Sequence, residues 1–336
     1  MSPRTLRFIA ENRIYIFLAV AFVFALIFIP DIRSVAALKN IMARASIEGI
    51  MAVGMTVVIL SGQLDLSVGS VLALSGVVAL GLQGDIGPIP AALVGIAAGG
   101  LVGVVNGALV VKAGINSFIV TLAAMIAVRG VATTLSDAAP IRGADASFGA
   151  SVDRALFGPL VEQLGTFLTP RILIFLALLF VAHLFLLRVR QGRNVYAVGG
   201  NVEAARLSGI PTSRYTFAAF VFCGLCAGLA GTILGLSLNT GSPVVGADSG
   251  LRVIAAVVIG GTALTGGSGS MMKTLMGVLL LALVTTAMNQ AAVQVWVQGI
   301  VLGTILIIVV LIDAIYSAWR TRLVIAGQLG STRAVT

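Results

Sequence analysis

Two cysteines three positions apart, Cys223 and Cys226, are the first residues that could do chemistry. A C-x-x-C pair binds metal or exchanges disulfides when further ligands accompany it. No His or Cys lies near this pair, which sits one helical turn apart inside an apolar run, so both read as packing residues. The single histidine, His183, lies within the apolar run 172–187. It reads as a satisfied interior side chain rather than a proton relay. With the one histidine inside an apolar helix, no H-E-x-x-H, paired-carboxylate or Ser-His-Asp arrangement is credible. No G-x-x-x-x-G-K-S/T phosphate loop occurs, so nucleotide binding by that route is not expected. The chain is therefore read as non-catalytic, with no metal and no cofactor of its own. Asp65, within SGQLDLSVGS at 61–70, remains open between two roles. It either caps the helix beginning near Ser67 at the membrane surface, or sits at membrane depth as a gating or pairing group.

The best-marked polar element is residues 188–214, a basic segment punctuated by glycines between two apolar runs. Its centre has the signature of one short capped helix. Asn201 is placed to cap, Glu203 falls in the first turn, Arg206 near the last, and Ser208-Gly209 closes it before Pro211. Gly199-Gly200 reads as the sharp turn leading in. Such a helix either docks on a soluble partner or is an ordinary surface loop.

These elements must be carried by a membrane. The chain is 59% hydrophobic and only 10% charged, with a mean hydropathy of +1.11. A soluble domain normally devotes about a quarter of its residues to charge. Apolar runs recur at about 14–30, 46–61, 67–83, 90–111, 115–135, 171–187, 215–238, 251–264, 274–290 and 293–313. Together they predict an all-α polytopic protein of about ten transmembrane helices, organised as one domain over 1–336. Forty glycines suit close helix packing and broken helices. Residues 31–48 read as an amphipathic connection.

With the N-terminus inside and the spans alternating, the N-tail, 62–66, Lys112, 188–214, Lys273 and the C-tail all fall on the inner side. The net charge of +9 then lies wholly on that side. The Lys/Arg bias sets orientation, making 188–214 cytoplasmic, 136–170 periplasmic and both termini cytoplasmic. The segment 136–170, with Asp137, Arg142, Asp145, Asp153, Arg154 and Glu162, is either a docking pad for an external partner or a plain connection. Basic residues so explained give no reason to expect nucleic acid.

Two Gly/Ser elbows, 61–70 and 260–270, interrupt pairs of apolar arms. A shift of 200 positions aligns Val57, Val58, Ile59, Leu64, Gly69 and Ser70 with Val257, Val258, Ile259, Leu264, Gly269 and Ser270. A parallel internal repeat would produce this alignment, as would chance in Gly-rich apolar sequence. Arms of 14–17 residues would be too short for a full crossing and are expected to be discontinuous helices. Asp65, Ser67, Gly69, Gly260, Gly261, Gly266 and Gly267 are the candidate pathway or gating residues. The remaining polar residues in or near the apolar runs are Asn106, Asn116, Arg129, Asn239, Asp248, Arg252, Asn289 and Gln290, several near expected helix ends. Trp296 and Trp319 fit interfacial aromatic belts.

The order and spacing of LSGQLDLSVGS (60–70), GRNVYAVGGNVEAARLSGI (192–210) and AAVVIGGTALTGGSGS (255–270) resemble the permease subunits of ribose-type monosaccharide ABC importers. The likeness covers nearly the whole chain. The first motif departs from the more usual T-G-G-I-D-L-S-V-G form at Ser61, Gln63 and Leu64, while Asp65 through Gly69 is intact. The resemblance implies an inner-membrane pathway formed by two permease chains, identical or sister. It also implies a cytoplasmic ABC ATPase holding ATP and Mg, and a periplasmic sugar-binding protein. Gly199, Gly200, Asn201, Glu203, Ala204, Ala205, Arg206, Ser208 and Gly209 would couple to that ATPase, with Ala204-Ala205 seated in its groove. A branched-chain amino acid or nucleoside permease, an ion-coupled secondary transporter and a pathway-free scaffold are the competing readings.

Overall fold

In the computed structural model the described residues are 3–29, 31–144, 169–305, 307, 308 and 311, with side chains described from Ile14 onward. Asp145, Asp153, Arg154 and Glu162 of the expected periplasmic segment lie outside them, as do Trp319 and the basic C-tail. The chain divides into two compact units, Met1–Ala291 and Ala292–Thr336.

The first unit is helical. In chain order it holds α1 (Pro3–Phe28), α2 (Val35–Leu60), α3 (Val68–Gly81), α4 (Gln83–Ile86), α5 (Pro88–Val111) and α6 (Ser117–Leu135). These are followed by α7 (Pro170–Arg188), α8 (Arg190–Gly200), α9 (Val202–Leu207), α10 (Thr212–Leu238), α11 (Ser249–Ile259) and α12 (Met271–Gln290). The second unit contributes the apolar helix α13 (Val295–Ile305), on which Trp296 is exposed. Among the described residues six helices are long and apolar enough to cross a membrane: α2, α5, α6, α7, α10 and α12. The outward faces of α5, α6 and α7 carry Leu93, Leu101, Ile119, Ile126, Phe180 and Val181 in the open, as a lipid-facing surface requires.

Several expected boundaries are corrected. Residues 31–48 are not a separate amphipathic connection. Ser34 accepts the Ala37 N–H at 3.1 Å and starts a single 26-residue helix that runs to Leu60. Only the inner arms are short: α3 has 14 residues and α11 has 11, against 20 in α12. At 1.5 Å per residue, α3 is about 21 Å long and α11 about 17 Å, short of ~30 Å of hydrocarbon. The short helix follows the first elbow and precedes the second. A shift of 200 positions thus lays 26-residue α2 on 11-residue α11. An unexpected two-residue ribbon, Ile141–Arg142 (β1) against Thr240–Gly241 (β2), also joins the segments after α6 and α10.

α10 is the central post, packed on α5, α3 and α2. Its seam is made of backbone. On α5, Gly95, Gly99, Gly103 and Gly107 recur every four residues and form one stripe. A Cβ on Gly99 would sit 2.7 Å from Gly228 Cα, and one on Gly103 would sit 2.9 Å from Val221 Cα. Gly231 and Gly235 repeat the arrangement against α3. Lipid supplies no hydrophobic force between helices, so this closeness, with its dispersion contacts, must hold them together. Cys223 and Cys226 are buried, free and packed against Gly54 of α2, which accounts for their small size. His183 is half-buried on α7.

Candidate functional site

The 188–214 segment contains two helices, one more than expected. Gly199 and Gly200 are not a leading-in turn but the last residues of α8, which begins at Arg190. The break comes at Asn201, whose extended backbone lets its side-chain oxygen accept the Ala204 N–H at 2.9 Å. Glu203 and Arg206 pair at 3.5 Å on the exposed face of α9. At that exposure the pair is worth well under ~1 kcal/mol. Ser208 Oγ donates back to Ala204 O at 2.9 Å, and Gly209 closes the helix at φ +77°. One correction concerns the face presented: Ala204 is exposed, but Ala205 is buried against the body of the protein. The most exposed apolar side chain of α9 is Leu207, at 84%, with Val202 also exposed at the start of the helix. Its register, on the turn following Ala204, was the sequence signal that could have identified it.

The far end of α8 meets both elbows at one point. Gly267 N–H of the second elbow donates to Leu60 O at the end of α2, at 3.0 Å. Gly199 fits between them: a Cβ there would collide with Leu60 O and lie 2.8 Å from Gly267 N. Gly266 would bring a Cβ to 2.7 Å from Gly62 Cα, and a Cβ on Gly267 would strike Gly200. Gly62, Gly261, Gly266 and Gly267 all have positive φ, at 81°, 90°, 84° and 70°, so the elbows need glycine for backbone shape as well as for space. Gly260 caps α11 where an added Cβ would meet Lys273 O. Tyr196 of α8 donates to Gly269 O at 3.3 Å; burial pushes its phenol above the usual tyrosine range, keeping it a donor. Three segments far apart in sequence thus form one main-chain joint.

Asp65 does not stand at an exposed surface. It is 1% exposed and accepts both the Ser67 N–H at 2.9 Å and the Ser67 hydroxyl at 2.6 Å. Asn106 Nδ2 donates to Ser67 Oγ at 3.0 Å, extending the network to α5. Gly69 O accepts from Arg129 of α6 at 3.2 Å, and the same guanidinium holds Val245 O at 2.7 Å and Pro243 O. Asn106 and Arg129 are therefore tertiary ties between helices. Asp65→Ala strands two buried donors at about 1–3 kcal/mol. Thermal unfolding in detergent should drop by several degrees for that variant and much less for Asp65→Asn.

Away from the joint, a cavity of about 660 Å³ with polar and aliphatic walls opens among α2, α7, α11 and α12. It is lined by Arg44 and Glu48 of α2, Arg171 of α7, Ser249 and Arg252 of α11, and Asn289 and Gln290 of α12. Glu48 Oε1 pairs with Arg252 Nε at 3.2 Å, and Arg252 Nη2 donates to Ser249 Oγ at 3.0 Å. Sequence reasoning missed Arg44, Glu48 and Arg171 as cavity residues, because a lining drawn from four separate helices leaves no local pattern. No cluster of potential metal ligands occurs among the described residues.

Residues 37–310 match the family described as the branched-chain amino acid transport system / permease component. The chain is 37% identical over 288 residues to the ribose import permease protein RbsC of Escherichia coli strain K12, covering 84% of this chain and 87% of that one. It is 36% identical over 302 residues to the L-arabinose transport system permease protein AraH of the same strain, covering 88% of each. It is 33% identical over 282 residues to the D-allose transport system permease protein AlsC, also of that strain, covering 83% and 84%. No solved structure matches it. With a match across most of its length, a helical membrane body and the three motifs in the expected order, the chain belongs to the branched-chain amino acid transport system / permease component family, as a ribose-type permease.

Proposed function

We propose that this chain is the transmembrane subunit that carries a monosaccharide across the inner membrane, powered by a separate ABC ATPase. The relatives named for ribose, L-arabinose and D-allose support the sugar class. The observation that carries the mechanism is the joint of Gly199, Gly267 and Leu60. It ties the segment bearing the exposed α9 to both elbows without an intervening flexible linker.

ATP and Mg belong to the ATPase, and this chain contributes position and movement. The exposed turn of α9, with Leu207 and Ala204 outward, docks in a groove of that subunit. Closure of the ATPase displaces α8 and α9 together. Gly199 passes the displacement to the ends of α2 and α11, and the two helices re-aim around the cavity at their other ends. A second permease chain completes the pathway, and a periplasmic binding protein delivers the sugar to the cavity side. Each of the ten apolar runs overlaps one of the six long helices or one of the shorter apolar helices Ile14–Phe28, Val68–Gly81, Ser249–Ile259 and Val295–Ile305, which supports ten passes with some incomplete ones. Ten passes keep both termini, both elbows and α9 cytoplasmic.

Reconstitution tests this directly. Sugar uptake into proteoliposomes is expected only with ATPase, binding protein and ATP together. Uptake by this chain alone under an ion gradient would replace the proposal with a secondary transporter. A Ser208→Cys variant should react with a membrane-impermeant maleimide in inverted vesicles and not in right-side-out ones; the opposite pattern reverses the topology.

A further inference from the structure

Glu48 stands in the middle of α2 and Arg252 in the first turn of α11, Glu48 6% exposed and both lining the same cavity. Ion pairs removed from water return little net stability, because desolvation consumes most of the attraction. Ionisable side chains in membrane helices therefore point first to a function. A second, independent observation lies on the cavity wall. The side-chain oxygen of Gln290 is buried and accepts no hydrogen bond. A buried acceptor without a donor is costly, and turning the Gln290 amide toward the cavity would let a solute hydroxyl supply the donor. Glu48 accepts, Arg252 donates and Gln290 accepts, a pattern that suits adjacent hydroxyl groups, each of which both donates and accepts. At about 660 Å³ the cavity has the size of a small-molecule site. No aromatic side chain lines it among the described residues, so a ring could not stack, and a solute would be held by hydrogen bonds beside aliphatic contacts from Ile47, Met51 and Leu72.

We infer that this cavity is the solute site of the chain, taking a polyhydroxylated ligand whose hydroxyls bridge Glu48, Arg252 and Gln290. The inference rests on the transport reading above, and adds the residues that discriminate among solutes. A site without stacking releases its ligand readily, as a transit station must. The ion pair orients the groups in the empty state and opens its remaining lone pairs and N–H groups to the solute.

The test uses the full chain in proteoliposomes with ATPase and binding protein, and D-ribose, L-arabinose and D-allose as probes. Gln290→Leu removes an unpartnered acceptor, so as a purely structural change it leaves thermal stability unchanged or raised. At the solute site it lowers uptake of the best probe about tenfold and shifts preference among the three sugars. Glu48→Gln is expected to lower uptake by a similar factor, with binding-protein affinity for sugar unchanged. An Asn289→Cys variant should be labelled by a membrane-impermeant maleimide from the outer side, more slowly in the presence of sugar-loaded binding protein. ATP-dependent uptake with unaltered rate and preference in both Gln290→Leu and Glu48→Gln overturns the site alone. Wild-type uptake that ignores the ATPase, or imports none of the three sugars, instead brings down the transport reading, and the site with it.

Discussion

Gly199→Ala uncouples the transporter while Gly200→Ala, one residue away, does not. A Cβ at Gly199 meets Leu60 O and Gly267 N in the joint, whereas at Gly200 its nearest neighbour is Gly267 Cα at 3.8 Å, an ordinary contact. Overpacking of this kind costs about 1–3 kcal/mol and falls on backbone that cannot rotate away. Set against the closed joint alone, that cost shifts the equilibrium between joint states about 5–150-fold. Sugar uptake by Gly199→Ala should fall by at least about tenfold, with ATP still hydrolysed but no longer stimulated by loaded binding protein. Uptake and stimulated ATPase rates in the two variants give the answer. Equal behaviour of the pair removes the joint from the mechanism.

Gly99→Leu is expected to prevent assembly altogether. The whole side chain would have to fit where Gly228 Cα and Gly224 O already stand, on the seam between α5 and the central α10. Helices held by close approach rather than by exclusion of water lose most of their association when they are forced apart. Four new heavy atoms exceed what local adjustment absorbs at ~1–3 kcal/mol. Size-exclusion profiles in detergent should show aggregate or no protein. Gly130→Ala on α6, where a Cβ meets nothing within 4 Å, should elute as wild type and gain slightly in stability. A monodisperse Gly99→Leu protein would show that α5 and α10 can separate without loss of the fold.

What the sequence disclosed followed from how local each cause is. The cap at Asn201, the acid in the first turn and the Gly209 stop of α9 depend on neighbours within one turn, and each appears where its spacing predicted. Boundaries set by tertiary burial were misread. Polar Lys39, Arg44 and Glu48 made residues 31–48 look like a surface connection, yet Arg252 pairs with Glu48 and α2 continues through it. The same blindness hid the cavity, since its lining comes from helices spread over 250 positions. Gly199-Gly200 looked like a turn because glycine usually breaks helices. Here the pair ends α8 in helical geometry, and the missing side chains admit other strands of backbone.

The hydrogen bond from Gly267 to Leu60 has one more consequence. A bond of this sort contributes only about 0.5–1.5 kcal/mol net. Thermal agitation therefore breaks and remakes it unaided, and little of a partner's chemical work is spent in unfastening it. Such a clasp works by aiming the parts it fastens rather than by holding them fast, so direction passes through it with almost no energetic toll.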